Sequence, residues 1–149
     1  MADNYFKNRV VIVTGAGQGI GFEICRQLAF HGAIVLLNDI EDGLTIKAAE
    51  AIGKENGICH PFAGDSSDIH FIKHMVNEAV KQFGKLNIAI ANAGITLFGD
   101  FFDYPPESFN KVMQVNLGGS FFLAQAAAQQ MKKQDDGGAL QVRRSSPIE

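Results

Sequence analysis

The stretch VVIVTGAGQGIG, residues 10–21, constrains this chain more than any other. A short β-branched run ends at Thr14-Gly15, and glycines recur at Gly15, Gly19 and Gly21 before a periodic apolar segment begins. Glycine weakens the interior of helices and strands alike, so glycines clustered at one junction specify a turn where backbone closely approaches something. Val10 to Val13 suits a strand buried on both faces. From Gly19 to His31, Ile20, Ile24 and Leu28 fall four apart on one helical face, and Gly32 stands where a left-handed C-cap is wanted. Without Cβ atoms in the turn, the N–H groups and positive dipole end of the helix can face a bulky anion. The plainer alternative is a glycine turn that only packs a helix on a sheet. The spacing is G-x-x-x-G-x-G, and no Gly-Lys-Ser/Thr follows, so the turn is not a P-loop.

The same alternation continues along the chain. A second strand is predicted at Ala33 to Leu37 with a polar stop at Asn38-Asp39, then a weaker helix from Gly43 to Asn56 closed by Gly57. A third strand covers Ile58 to Ala63, and Ser67 or Asp68 caps a helix that keeps its period from Ile69 to Phe83 and ends at Gly84. Leu86 to Ala91 forms a fourth strand, and Pro105 or Pro106 opens a helical stretch from about Glu107 to Lys133, interrupted by Gly118-Gly119. Strands alternating with helices over short loops imply parallel strands, right-handed crossovers and helices on both faces. The expected class is α/β: a Rossmann-like, doubly wound parallel sheet in three layers.

Composition narrows the function classes. A net charge of -3 with acids and bases interspersed gives no basic face for nucleic acid or anionic membrane. The N-terminus lacks a signal-peptide core, and no apolar run reaches the roughly 20 residues of a membrane span, which leaves the cytoplasm as the default. Cys25 and Cys59 stand singly in apolar surroundings and read as buried free thiols. His31, His60, His70 and His74 show no metal-ligand clustering, so no metal site is assigned.

Asp39 gives the glycine turn its context. It follows the second strand directly, 18 residues beyond Gly21, where a carboxylate can accept both hydroxyls of an adenosine ribose. A 2′-phosphate would meet a like charge there, and Gln18 offers it no cation, so NAD(H) is preferred over NADP(H). The competing reading of Asp39 is an exposed turn residue.

Thr14-Gly15-Ala16-Gly17-Gln18-Gly19-Ile20-Gly21 resembles the TGxxxGIG cofactor turn of the short-chain dehydrogenases/reductases. Further segments match that family in order over about residues 6–140. The resemblance implies cofactor contacts at Gly15, Gln18, Gly19, Ile20, Gly21, Asp39 and Ile40. It implies them also at Asp65 and Ser66, in AGDSSD, with Asp65 meeting the adenine amino group. Ala91-Asn92-Ala93-Gly94 is similar to the family's NNAG with the first Asn replaced; Asn92, Ala93 and Gly94 would line the adenosine ribose and steady the sheet. Asn116, in QVNLGGSFF, matches the helix asparagine of the catalytic tetrad, which holds a proton-relay water. Gly137-Gly138-Ala139-Leu140 resembles the turn into a fifth strand. The bland alternatives are Asp65 as a helix cap, Asn92 as a brace at the sheet's end, and Asn116 as an ordinary polar position facing a neighbouring strand. Phe101, Phe102, Phe121 and Phe122 read as core and subunit-contact residues.

The departure from the family is chemical. A tyrosine that exchanges the hydroxyl proton needs a lysine four residues later, because a phenol near pKa 10 is a poor base at neutral pH. Here Tyr5 is followed at that spacing by Arg9, and Tyr104 by Ser108. The tail QVRRSSPIE looks wrong for a strand buried on two faces, since Gln141 and Arg143-Arg144 would be desolvated. Ser145 and Ser146 fall near the family's serine but are not assigned. The expectation is therefore a single, incomplete NAD-binding domain over residues 1–149, truncated after the fourth or fifth strand, with a divergent tail from 141. The fourth strand would then be an exposed edge. The function implied by the resemblance is NAD(H)-dependent hydride transfer between nicotinamide and an alcohol or ketone, in a homo-oligomer for an intact relative. The alternative is a non-catalytic nucleotide-binding or interaction fragment that associates with intact subunits. A methyltransferase reading, which shares the first turn and the acid after the second strand, is disfavoured by the Asn-Ala-Gly segment and Asn116.

Overall fold

The computed structural model describes residues 4–143. Five parallel strands lie in the order β3-β2-β1-β4-β5. They are β1 (Val10–Val13), β2 (Ile34–Asp39), β3 (Ile58–Ala63), β4 (Ile88–Ala91) and β5 (Ala139–Val142). The helices are α1 (Gly19–Phe30), α2 (Asp42–Lys54), α3 (Ile69–Phe83), α4 (Pro106–Met113) and α5 (Ser120–Met131), with a π-helical turn, Gln114–Gly119, joining the last two. The doubly wound, three-layer α/β/α class expected from the sequence is the class observed.

Two-face burial explains the unbroken apolar strands. Successive strand residues point to opposite faces, so Val10 and Ile12 join Leu36 under α3 and α5, through Ile72, Met75 and Leu123. Val11 and Val13 join Val35 and Leu37 on the other face, under α1 and α2, through Cys25, Ala29 and Ile52. All four β1 residues are essentially inaccessible, each worth about 1.5–3 kcal/mol of burial. Cys25 is fully buried and Cys59 half-buried, both as free thiols. Burial pushes both thiols up, Cys59 to about 12, and the neighbouring Cys59 adds to the rise at Cys25.

Element boundaries move for identifiable reasons. β2 runs on through Asn38 and Asp39 because both pair with β3, at Phe62 and Ala63. Asn38 is tolerated inside the sheet because its amide donates to the Phe62 and Gly64 carbonyls at 2.9 and 3.0 Å. β4 starts at Ile88 and not Leu86: the Gln134 side chain takes both the Leu86 N–H and its carbonyl, at 2.8 and 2.9 Å. Pro61, which cannot donate, sits in β3, an edge strand. The helical stretch after Pro105 is not broken at Gly118-Gly119 but bulges into the π-turn.

Two expectations at the end of the chain are corrected. β4 is not an edge: it pairs with β5 from Ile88↔Ala139 to Ala91↔Val142, and β5 is the edge. Gln141 meets no desolvation penalty, because β5 is solvent-exposed throughout. Ser145, Ser146 and Arg144 lie outside the described residues. The phenylalanines also divide differently. Phe122 packs against the core, whereas Phe101 and Phe102 are each 89% exposed and Phe121 58%, so these three are not core. No helix among the described residues is long and apolar enough to cross a membrane.

α3 begins where the sequence indicates, with the Asp68 carboxylate accepting the His70 N–H at 2.8 Å, and ends at Gly84 in the left-handed region. Asp68→Ala should lower stability by about 1 kcal/mol. Urea unfolding midpoints that coincide for the two proteins would show that this cap carries no weight.

Candidate functional site: a cleft at the carboxyl ends of the strands

β1 and β4 end side by side, and what joins them shapes the site. The buried Thr14 hydroxyl accepts the N–H groups of Asn92 and Ala93, both at 3.2 Å. In return the Asn92 amide donates to the carbonyls of Thr14 and Gly15, at 3.0 and 2.8 Å. Gly15 has φ +60, and a Cβ there would stand 2.6 Å from the Ala93 Cα, so only glycine lets the two segments touch. A Cβ on Gly21 would fall 2.5 Å from both the Asn92 amide nitrogen and the Gly15 carbonyl oxygen, which seats the start of α1 on the same junction. Thr14 therefore organises the site, a role that its place in the TGxxxGIG motif does not by itself reveal.

α1 presents its N-terminus open. Gln18 provides no side-chain cap, and the first turn holds no acidic residue. α3 has its Asp68 cap, while α2 and α4 carry Asp42 and Glu107 in their first turns. Among the described residues no side chain caps the N–H groups at the start of α1, which stay open to water or a ligand. Gly19, at φ +61, has no atom within 4 Å of where a Cβ would stand, so the turn is open on that side.

Asp39, at the end of β2, faces this turn. One carboxylate oxygen accepts the Gly17 N–H at 3.0 Å and the other the Glu41 N–H at 3.2 Å. Each oxygen keeps acceptor capacity for a further donor. Asp65 lies across the cleft, where it accepts both the N–H and the hydroxyl of Ser67, at 2.8 and 2.7 Å. Burial works to raise the Asp65 carboxyl, but the Ser67 donors and the Lys111 ammonium 3.7 Å away outweigh it and hold it below the ordinary carboxylate range. Gly119 allows the π-turn to approach this loop, since a Cβ there would stand 2.7 Å from the Ser66 carbonyl oxygen.

These groups converge on one cavity of about 320 Å³. Gly15, Gln18, Ile20, Gly21, Asp39, Ile40, Asp65, Ser66, Asn92, Ala93 and Gly94 all line it; Gly19 is in the turn but not on that wall. Lys111, Val115 and Arg143 line it too and were not singled out from the sequence. Only the alternation of Lys111, Val115 and Asn116 around a helical turn hinted at the first two. Arg143 stands in a segment whose sequence position implies a buried strand, which hides its availability to the cleft. Asn116 borders an adjoining cavity, and its amide is committed to the backbone: it donates to the Ile95 carbonyl at 2.9 Å and accepts the Ile95 N–H at 2.8 Å. Its own carbonyl accepts the Ser120 hydroxyl at 2.9 Å. The Tyr104 hydroxyl donates to the Leu97 carbonyl at 2.6 Å, in a separate cavity. The cleft offers backbone donors for an anion at one wall and a carboxylate for a diol at the next.

The chain matches the family model described as short chain dehydrogenase over residues 9–145. It is 37% identical over 139 residues to a short-chain dehydrogenase/reductase from Armillaria gallica, covering 90% of this chain and 52% of that protein. A short-chain type dehydrogenase/reductase from Mycobacterium marinum superposes with a TM-score of 0.90 at 28% identity, over 94% of this chain and 57% of that one. An NAD+-bound xylitol dehydrogenase superposes at 0.87, also at 28% identity, over 93% and 53%. The chain thus spans about half the length of these relatives.

Thr14→Val should strand the N–H groups of Asn92 and Ala93 and cost about 1–3 kcal/mol, while Thr14→Ser keeps the acceptor and most of the stability. Equal denaturation midpoints for wild type and Thr14→Val would contradict the junction described above. For Asp65, a folded pKa below its unfolded value means stability present above the ordinary carboxylate range and lost as pH falls through the folded pKa. Asp65→Asn should therefore show a smaller drop in urea midpoint from neutral to acid pH than wild type. An identical drop in both would remove Asp65 from the acid response.

Proposed function

This chain belongs to the short-chain dehydrogenase family, and from that premise we propose that its cleft binds NAD(H) and serves hydride transfer between nicotinamide and an alcohol or ketone. The observation that carries the reading is the pairing of the uncapped α1 N-terminus with the Asp39 carboxylate on one cavity. The residues fit a dinucleotide. The first-turn N–H groups of α1, with Gly15, Gln18, Gly19, Ile20 and Gly21, hold the diphosphate against the positive end of the helix. Asp39 and Ile40 hold the adenosine ribose, with the carboxylate accepting its two hydroxyls and repelling a 2′-phosphate. Asp65 and Ser66 meet the adenine edge, and Ala93 and Gly94 pass close to the sugar while Asn92 braces the wall. The nicotinamide, when bound, supplies the hydride acceptor or donor.

One observation favours a second reading for the chain as it stands. Neither Tyr5 nor Tyr104 has a lysine four residues on, and Tyr104 spends its hydroxyl on Leu97. On that reading the 149 residues bind the dinucleotide without turning over and act as a nucleotide-binding or interaction partner. Asn116 belongs to the relay in the family pattern, and here it positions Ile95. Exposed apolar residues along the helical stretch, Phe109, Met113, Leu117 and Phe121, support self-association.

Calorimetric titration with NADH and NADPH tests the cofactor assignment. The wild-type chain should prefer NADH, and Asp39→Asn should weaken NADH by about tenfold, roughly 1.4 kcal/mol, while narrowing the NADH/NADPH ratio. A ratio unmoved by the substitution would defeat the Asp39 assignment, because general loosening of the site weakens both ligands alike. Alcohol oxidation by the purified chain at rates typical of enzymes would defeat the second reading.

A further inference from the structure

The cleft continues past Gly94 and Ile95 into a second cavity of about 510 Å³, bounded by residues 92–96, Asn116 and Arg143. Among the described residues Arg143 is its only charged wall residue, and it is held in position. Its N–H donates to the Ala91 carbonyl at 3.0 Å, which fixes the backbone where β5 ends. Its guanidinium donates to the Asn92 side-chain oxygen at 3.1 Å. Asn92 cannot turn that oxygen away, since its amide nitrogen is committed to the Thr14 and Gly15 carbonyls. Among the described residues no carboxylate pairs with Arg143. The other charges nearby are engaged: Lys111 with Asp65, and Asp39 with two backbone N–H groups.

A guanidinium has five donors in a planar fork and is matched bidentately by a carboxylate. Here one donor steadies the group, and others are available to a ligand in a cavity with polar walls and a positive charge that no carboxylate among the described residues offsets. We propose that the second cavity binds a small organic anion whose carboxylate pairs with Arg143. This rests on the function proposed above for the chemistry performed there, and it makes the substrate class a hydroxy or oxo acid and not a neutral alcohol or ketone. Arg143 also borders the first cavity, so the dinucleotide's diphosphate is the competing anion, and the ADP-ribose arm below separates the two.

Titration of the whole 149-residue chain with malonate and its neutral counterpart malonamide tests the assignment. Malonate should bind at least about tenfold tighter, the contribution of one charge-assisted pair. Arg143→Gln should abolish that preference and Arg143→Lys should keep part of it. Equal binding of the two ligands by the unaltered protein overturns the proposal without needing any variant to fold, and malonate affinity unchanged in Arg143→Gln overturns it as well. Saturating ADP-ribose should leave malonate binding intact. If ADP-ribose instead displaces malonate, the anion on Arg143 is the diphosphate and the second-cavity assignment falls. If ADP-ribose fails to bind while malonate keeps its dependence on Arg143, the anion site stands and the dinucleotide reading fails.

Discussion

The reciprocal hydrogen bonding of Thr14 with Asn92 is the constraint on which the site depends. A hydroxyl and an amide, each accepting from or donating to the other's backbone, close the gap between two strands just where their ladder ends. Side chains do there what strand pairing does elsewhere, and they do it in a buried setting where an unmade bond is costly. The glycine turn, the mouth of α1, the Asn-Ala-Gly segment and the fork of Arg143 all take their positions from that junction. A looser connection would leave the same residues present but not convergent.

Asp39 and Asp65 show how one residue type does different local work. Asp39 anchors a turn with both oxygens and still faces the cavity. Asp65 is drawn to Ser67 and Lys111, so the acid on that side is largely neutralised by a cation from another element. The wall near β2 is consequently the more negative, and the wall near β5 the positive one. This polarity runs along the cleft and would orient any ligand with unlike ends.

Much of this was legible in the residues. Val10–Val13, the start of α1, β3 and the span of α3 follow from apolar period and punctuation alone, because both act locally along the chain. Nearly every residue picked from the glycine, AGDSSD and Asn-Ala-Gly segments lines the cavity. The misses have a shared origin. Leu86 is claimed by Gln134, 48 residues away, and the exposure of β5 depends on its being an edge; neither shows in a local window. Lys111 and Arg143 are ordinary surface cations until the fold sets them beside Asp65 and Asn92.

The π-turn at Gln114–Gly119 carries its own consequence. One residue more than an α-turn requires rotates everything after it by about 100° relative to an unbroken helix. α4 buries none of its residues, whereas α5 sets Leu123, Ala127 and Met131 into the core, and the bulge reconciles two such differently phased faces within one rod. Asn116 occupies the bulge and clasps Ile95, so the angular offset of a helix is transmitted to the departure point of the 95–105 loop. That loop borders the second cavity at Ile95 and Thr96, and Asn116 is itself part of the wall, so the bulge in the helix reaches the chamber both directly and through the loop it holds.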